Sequence, residues 1–262
     1  MTATGPVSGD GQASAAAQSL PLFFSQVVAL DAGTHGALRL DRARGFGFAA
    51  VANALPLGLS EIALAAQYFP VVLTGGPNPM PVAILGYRGD ENLFVDAAGT
   101  WRDDTYIPAY VRSFPFILIE PPGDASIYLG IETTAAILGD TGEPLFVEGR
   151  PTELVADAMK FALAYRDDLK RATEFGAALN DAGLLQANEA RLTFKSGGTA
   201  RLDGFRVIDG TKLDTLDGPA FLEWRQRGWL APLYATVQSG ARWGQIVNLA
   251  NGRRAEGLKG SA

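Results

Sequence analysis

Few side chains in this sequence are able to move a proton or hold a metal. His35 is the only histidine and cysteine is absent. Any imidazole shuttle or triad must therefore use that one ring, and thiolate nucleophiles, disulfides and cysteine metal sites are excluded. His35 sits in the turn-forming stretch DAGTHG, where a histidine meets solvent or caps backbone, and no G-x-S-x-G elbow accompanies it. One histidine leaves only carboxylates to complete a zinc site, so no metal is expected. Carboxylates do gather in GDENLFVD, at Asp90, Glu91 and Asp96, and again at Asp103 and Asp104. They are the donors a hard cation prefers, but the spacing is not that of a calcium loop, and turn formation accounts for them. RGFGFAA places Gly45, Gly47 and Ala50 in a G-x-G-x-x-A arrangement. Such a run cradles a pyrophosphate only where it joins a strand to a helix. The charged LRLDRAR before it and the lack of βαβ alternation after it argue against that use. No cofactor is expected.

Other polar groups stand among aromatic rings. In YIPAYVRSFPFIL, residues 106 to 118, Arg112 is the one charge among Tyr106, Tyr110, Phe114 and Phe116. Its planar fork suits the carboxylate or phosphate of a ligand, or a buried acid of its own chain. Glu61 and Asn53 flank the apolar LPLGLS. Trp224, Trp229 and Trp243 lie late, near Arg225, Arg227 and Arg242. That grouping reads either as a cation and aromatic patch for a partner or as the packing of terminal helices.

Hydrophobic residues make up 47% of 262 and charged ones 19%, ample apolar surface for a core. Lys plus Arg total 22 against 28 Asp plus Glu, a net of -6 with no long basic run, so a nucleic-acid partner is not expected. Residues 1–20 lack the basic start and apolar run of a signal peptide and read as a loose tail, which points to a cytoplasmic location. No apolar run approaches the roughly 20 residues of a membrane-spanning helix.

The elements that must position these groups follow from periodicity. LPLFFSQVVAL and GALRL read as strands around the DAGTHG turn. LGLSEIALAAQYFP reads as a helix with Leu59, Ile62, Ala63, Ala66 and Phe69 inward and Pro70 as its stop. VVLT and VAILGY form a hairpin around GGPNPMP, with NLFVD as a third strand. Tyr106, Tyr110 and Phe114 stand four apart, on one face of a helix that has Asp103 and Asp104 at its start, Pro108 in its first turn and Pro115 as its stop. FILIE and SIYLGIET then pair as strands. From Thr152, as N-cap, to Gly183, a long helix sets Val155, Met159, Ala162, Leu169, Ala172 and Phe175 on one stripe. A hairpin turning at Ser196, Gly197 and Gly198 follows. Two helices then meet at RGWLAP, the first with Leu213, Leu216, Phe221 and Leu222, the second with Leu233, Val237, Ile246 and Val247. The fold class is α+β: a mixed, largely antiparallel sheet with helices over 21–150, then a helix, a β-hairpin and two C-terminal helices over 151–252 packed on it, or one domain over 21–252.

His35 and Arg39, FAAVANALPLGLSEIALAAQYFPVVL, PVAILGYRGDENLFVDAAGTW, YIPAYVRSFPFIL and RGWLAPLYATVQS, in this order from about Leu20 to about Leu249, resemble the SapC family of proteobacterial proteins, named for a surface-layer secretion locus. The resemblance implies an accessory or adaptor protein that binds another protein in a surface-layer or TonB-receptor and halogenase-linked pathway. It implies no reaction, no catalytic residue and no cofactor. The polar members of the pattern fall on His35, Arg39, Asn53, Glu61, Asn92, Asp96, Tyr106, Tyr110 and Arg112. A second expectation rests on the polar groups beside aromatic ones: a small-molecule-binding protein or enzyme with a pocket around Arg39, Asn53, Glu61, Tyr106 and Arg112, with His35 and Tyr110 as further ligand-binding candidates.

Overall fold

The computed structural model describes residues 20–259 apart from Asp124 and Ser196. The tail expected over 1–20 thus falls almost wholly outside the described residues, as does Ser196 of the hairpin turn. In chain order the elements are β1 (Val27–Ala29), α1 (Ala32–His35), β2 (Arg39–Leu40), β3 (Ala54–Pro56), α2 (Ile62–Ala65), β4 (Val71–Thr74), β5 (Pro81–Ile84), α3 (Ala109–Ser113), β6 (Phe116–Ile119), β7 (Tyr128–Glu132), β8 (Leu138–Gly139), β9 (Glu143–Pro144), β10 (Phe146–Val147) and β11 (Arg150–Pro151). The second half adds α4 (Glu153–Asp181), β12 (Leu185–Thr193), β13 (Thr199–Ile208), α5 (Gly218–Gln226), α6 (Leu230–Gln238) and α7 (Trp243–Lys259). The architecture is α+β, as expected. The strands form a sheet of order β12-β13-β4-β5-β3, a second of order β1-β7-β6, a third of order β8-β2-β9, and the β10-β11 ribbon. All pairings among the described residues are antiparallel.

Several expected elements change shape for local reasons. DAGTHG is a one-turn helix and not an open turn, because the Asp31 carboxylate accepts from Gly33 N at 2.8 Å and Thr34 N at 3.0 Å. NLFVD is not a third strand; only a Val95–Trp101 bridge forms. Asn92 Oδ1 takes the amide of Phe94, and Asp96 Oδ1 takes those of Ala98 and Thr100, so side chains hold donors that a ladder needs. The aromatic helix starts at Ala109 and not at the aspartates: Ile107 precedes a proline and avoids helical backbone, and Pro108 itself is extended at ψ 147°. Tyr106 therefore leaves the helical face. Ala63 is exposed, while Ala65 takes the buried position in α2. Thr152 occupies the N-cap position of α4, but its hydroxyl donates to Pro144 O and Leu145 O. Gly183, at φ 67°, ends that segment as expected.

The C-terminal run holds three α-helices where two were expected. Gly228, at φ 72°, separates α5 from α6, and a 3-10 turn over Ser239–Arg242 separates α6 from α7. Leu213 and Leu216 precede α5, and Phe221 and Leu222 are exposed on it. Trp224 and Trp229 are buried edge to face at 6.0 Å, with Arg227 stacked 4.7 Å over Trp229, so the tryptophans and this arginine are used within the fold.

Among the described residues two large apolar clusters form, beside a small one of Val72, Ile84 and Phe205. One gathers Leu55, Phe69, Leu73 and Phe94 with Phe175, Leu192, Trp224 and Ile246; the other gathers Phe24, Phe114, Phe116 and Ile131 with Val155 and Ala162. Helix α4 belongs to both, which its 29 residues allow: at about 1.5 Å per residue it runs about 43 Å. At Gly176 it touches the β4–β5 turn so closely that a Cβ would lie 1.9 Å from Pro79 O, a spacing that only glycine permits. At the other cluster, Glu132, 1% exposed, anchors the chain before β1: its carboxylate accepts from Ser25 N, Gln26 N and Thr134 N and from the Ser25 and Thr134 hydroxyls.

Burial by itself pushes the Glu132 carboxyl up, but the hydrogen bonds from Thr134, Ser25 and Gln26 outweigh it and hold the group down at about 2, against an unfolded value of 4.5. A depressed folded value means stabilisation that is complete above pH 4.5 and is lost as pH falls towards 2. Glu132→Gln is therefore expected to lower unfolding free energy at neutral pH by roughly 2–3 kcal/mol and to flatten its decline in acid, as read from urea titrations at stepped pH.

Candidate functional site

The site is built from the turn that enters α2. Gly58 N donates to Glu61 Oε1 at 2.8 Å, closing a capping loop over Leu59–Glu61. Gly58 also has to be side-chain free, since a Cβ there would stand 2.3 Å from Asp168 Oδ2 of α4. Asp168, itself buried, accepts from Ser60 Oγ at 2.6 Å and from Ser60 N at 3.1 Å, and pairs with Arg171 at 2.6 Å. The turn is thus fastened to the middle of α4.

Fastened there, Glu61 turns its other oxygen to the aromatic segment. Oε2 accepts from Tyr106 O–H at 2.7 Å and from Ala109 N, the first residue of α3, at 2.9 Å. The Tyr106 hydroxyl in turn accepts from Arg112 Nη2 at 3.1 Å, while Arg112 Nε donates to Ile107 O at 3.0 Å. The guanidinium, exposed, lies 5.1 Å from the Phe161 ring centroid and 5.7 Å from that of Tyr106. The internal acid expected for Arg112 is thus reached through a phenol. Among the described residues Arg112 has no carboxylate within ion-pair distance, and its Nη1 makes no hydrogen bond.

These groups line a cleft of about 330 Å³ with Leu64, Tyr165 and Arg171. Two cavities adjoin it along α4. One, of about 530 Å³, shares Arg112 and Phe161 and carries Arg42, Glu143, Glu153 and Asp157. The other, of about 470 Å³, shares Tyr165 and is walled by Phe24, Tyr110, Phe116, Leu118 and Leu169.

Desolvation raises the Glu61 carboxyl above its ordinary value, although the bonds from Ala109, Tyr106 and Gly58 and the charge of Arg112 pull the other way. Burial first, and then the neighbouring Glu61 charge, push the Tyr106 phenol up to about 12. Burial raises Tyr110 and Tyr165 as well. At neutral pH these phenols are donors, not bases. The arrangement is suited to holding an anionic or aromatic group.

The structure brings Glu61, Tyr106 and Arg112 together and sets Tyr110 beside them, its hydroxyl donating to Leu22 O at 2.6 Å and its ring 6.5 Å from Tyr165. It does not bring the other three candidates there. His35 is buried at the end of α1, where Asp31 N donates to its Nδ1 at 3.1 Å. Arg39 donates to Gly142 O at 2.9 Å. The backbone carbonyl of Asn53 accepts from Leu85 N and Gly86 N. None of these three lines the cleft on α4. Gly45, at φ 75°, packs on the chain's own backbone, Phe46 N donating to Gly99 O at 2.6 Å, which accounts for the first glycine of RGFGFAA.

The SapC family model matches residues 30–246. The chain belongs to the SapC family. No curated protein and no solved structure matches it. Within this SapC chain, Asn92 and Asp96 shape the 92–101 loop, while Glu61, Tyr106 and Arg112 form one hydrogen-bonded chain. The α4 contribution of Phe161, Tyr165, Asp168 and Arg171 was missed. The available signal was Asp168 itself, a charge four residues before Ala172 and seven before Phe175 on the buried stripe, which must find donors.

Carbon-detected NMR titration is expected to place the Glu61 carboxyl above 4.5 and that of Glu132 far below it. Arg112→Gln should raise Glu61 further, because the guanidinium charge that favours carboxylate is gone. An unmoved Glu61 would disprove the coupling.

Proposed function

We propose that this SapC chain acts by contact and not by bond making: a non-enzymatic accessory protein that binds another protein in a surface-layer or TonB-receptor and halogenase-linked pathway, with the cytoplasm as its location. The observation that carries the reading is α5. Trp224 is the one residue of this nine-residue helix that is buried, and Phe221 and Leu222 stand 42% and 51% exposed, with Tyr234 and Val237 of α6 at 45% and 36%. A helix this short is marginal on its own, and large apolar side chains left exposed on it and on the next helix favour a contact surface there. No helix among the described residues is long and apolar enough to cross a membrane. Affinity purification from native cells is expected to recover a discrete partner with the wild-type chain and to lose it with Phe221→Glu plus Leu222→Glu, at unchanged circular dichroism. Recovery of no stable partner, together with turnover of a small molecule by the purified chain, would contradict the proposal.

A second reading, a small-molecule-binding protein, is favoured by the α4 cleft, where Arg112 retains an open face between two rings. Under either reading we propose that residues 21–252 form one folding unit. The support is that β12 and β13 complete the sheet of β3, β4 and β5, and that α4 enters both clusters. Calorimetry is expected to give a single unfolding transition; two resolved transitions would divide the chain.

A further inference from the structure

We propose that the cavity between β6 and α4 binds a free aliphatic monocarboxylic acid, with the acyl chain against Phe24, Phe116, Leu118 and Leu169 and the carboxylate on Lys170. The inference rests on the small-molecule reading and assigns a chemical class to the apolar cavity that adjoins the Arg112 cleft. At about 470 Å³ the cavity falls within the size range of ligand pockets, ~300–1,000 Å³.

Its polar atoms are turned away from a ligand. The Tyr110 hydroxyl donates to Leu22 O at 2.6 Å, that of Tyr165 to Pro56 O at 3.3 Å, and that of Ser113 to Tyr110 O at 2.9 Å. What these residues offer the cavity is ring face and aliphatic surface. Its charge stands at the rim. Glu120 is neutralised by Arg166 at 2.7 Å, and Arg166 is held on its other side by Asp167. Lys170 is exposed and, among the described residues, has no hydrogen-bond or ion-pair partner. Glu120 and Asp167 both take Arg166, so Lys170 is the rim cation that no described carboxylate meets; it is complementary to an acid headgroup, and the apolar wall is complementary to its tail.

Calorimetric titration with monomeric decanoate, decanol and decyltrimethylammonium tests this on the full chain. Decanoate is expected to bind more tightly than either other probe. Lys170→Glu, at an exposed position that leaves the fold intact, should weaken decanoate at least about tenfold and leave decanol unchanged. Leu169→Glu should weaken decanoate and decanol alike. Binding of decanol with no preference for decanoate, or decanoate binding untouched by Lys170→Glu, overturns the headgroup assignment while leaving a ligand cavity. Binding of none of the three probes overturns the proposal, and if benzoate also fails to bind at the Arg112 cleft, the small-molecule reading falls with it. Binding to phosphatidylglycerol vesicles without monomeric decanoate, or a dimer abolished by Lys170→Glu, assigns the face to a membrane or a second copy and overturns the proposal.

Discussion

A buried carboxylate has to be met by donors, and in this chain two of them determine where the functional side chains stand. Asp168 gathers Ser60 and Arg171, and Glu61 gathers Gly58, Tyr106 and Ala109. The first joins α4 to the turn before α2, and the second joins that turn to the start of α3. Leaving such an acid unpaired in a low-dielectric interior costs several kcal/mol, so the three segments hold one geometry. Arg112 inherits its position from this arrangement: its Nη2 reaches the Tyr106 hydroxyl, which already belongs to Glu61.

Helix α4 extends the same logic over the whole molecule. Its Val155 and Ala162 pack into one apolar cluster and its Ala172, Phe175 and Leu179 into the other. Between these, Phe161, Tyr165 and Asp168 face a row of cavities instead of a continuous core. The helix spans two cores that Phe23 and Phe48 also join, and the aromatic segment of residues 106–118 lines the cavities along it. The SapC chain places the exposed Arg112 guanidinium and Lys170 ammonium along these cavities, while Phe221, Leu222, Tyr234 and Val237 stand exposed on α5 and α6.

Much of the fold was legible in sequence because it follows from short-range rules. The α4 stripe, the β4–β5 and β12–β13 hairpins and the β6–β7 pair each express a local period, and the structure contains them all. The errors were also local in origin. NLFVD has strand-like composition, but Asn92 and Asp96 capture the amides; the periodicity from Tyr106 was helical, but Pro108 delayed the helix by three residues.

The sequence by itself determined that imidazole and thiol chemistry are almost absent, that aromatic rings surround a single arginine in residues 106–118, and that an order of motifs matches SapC; all of these depend on residue identity and local spacing. Only the tertiary structure decided that Glu61 and Tyr106 meet Arg112 while His35, Arg39 and Asn53 do not. The physical reason is range. Glu61 and Ala109 are 48 residues apart and Ser60 and Asp168 are 108 apart, and such contacts are selected by burial and donor satisfaction across the whole core, which no local period encodes.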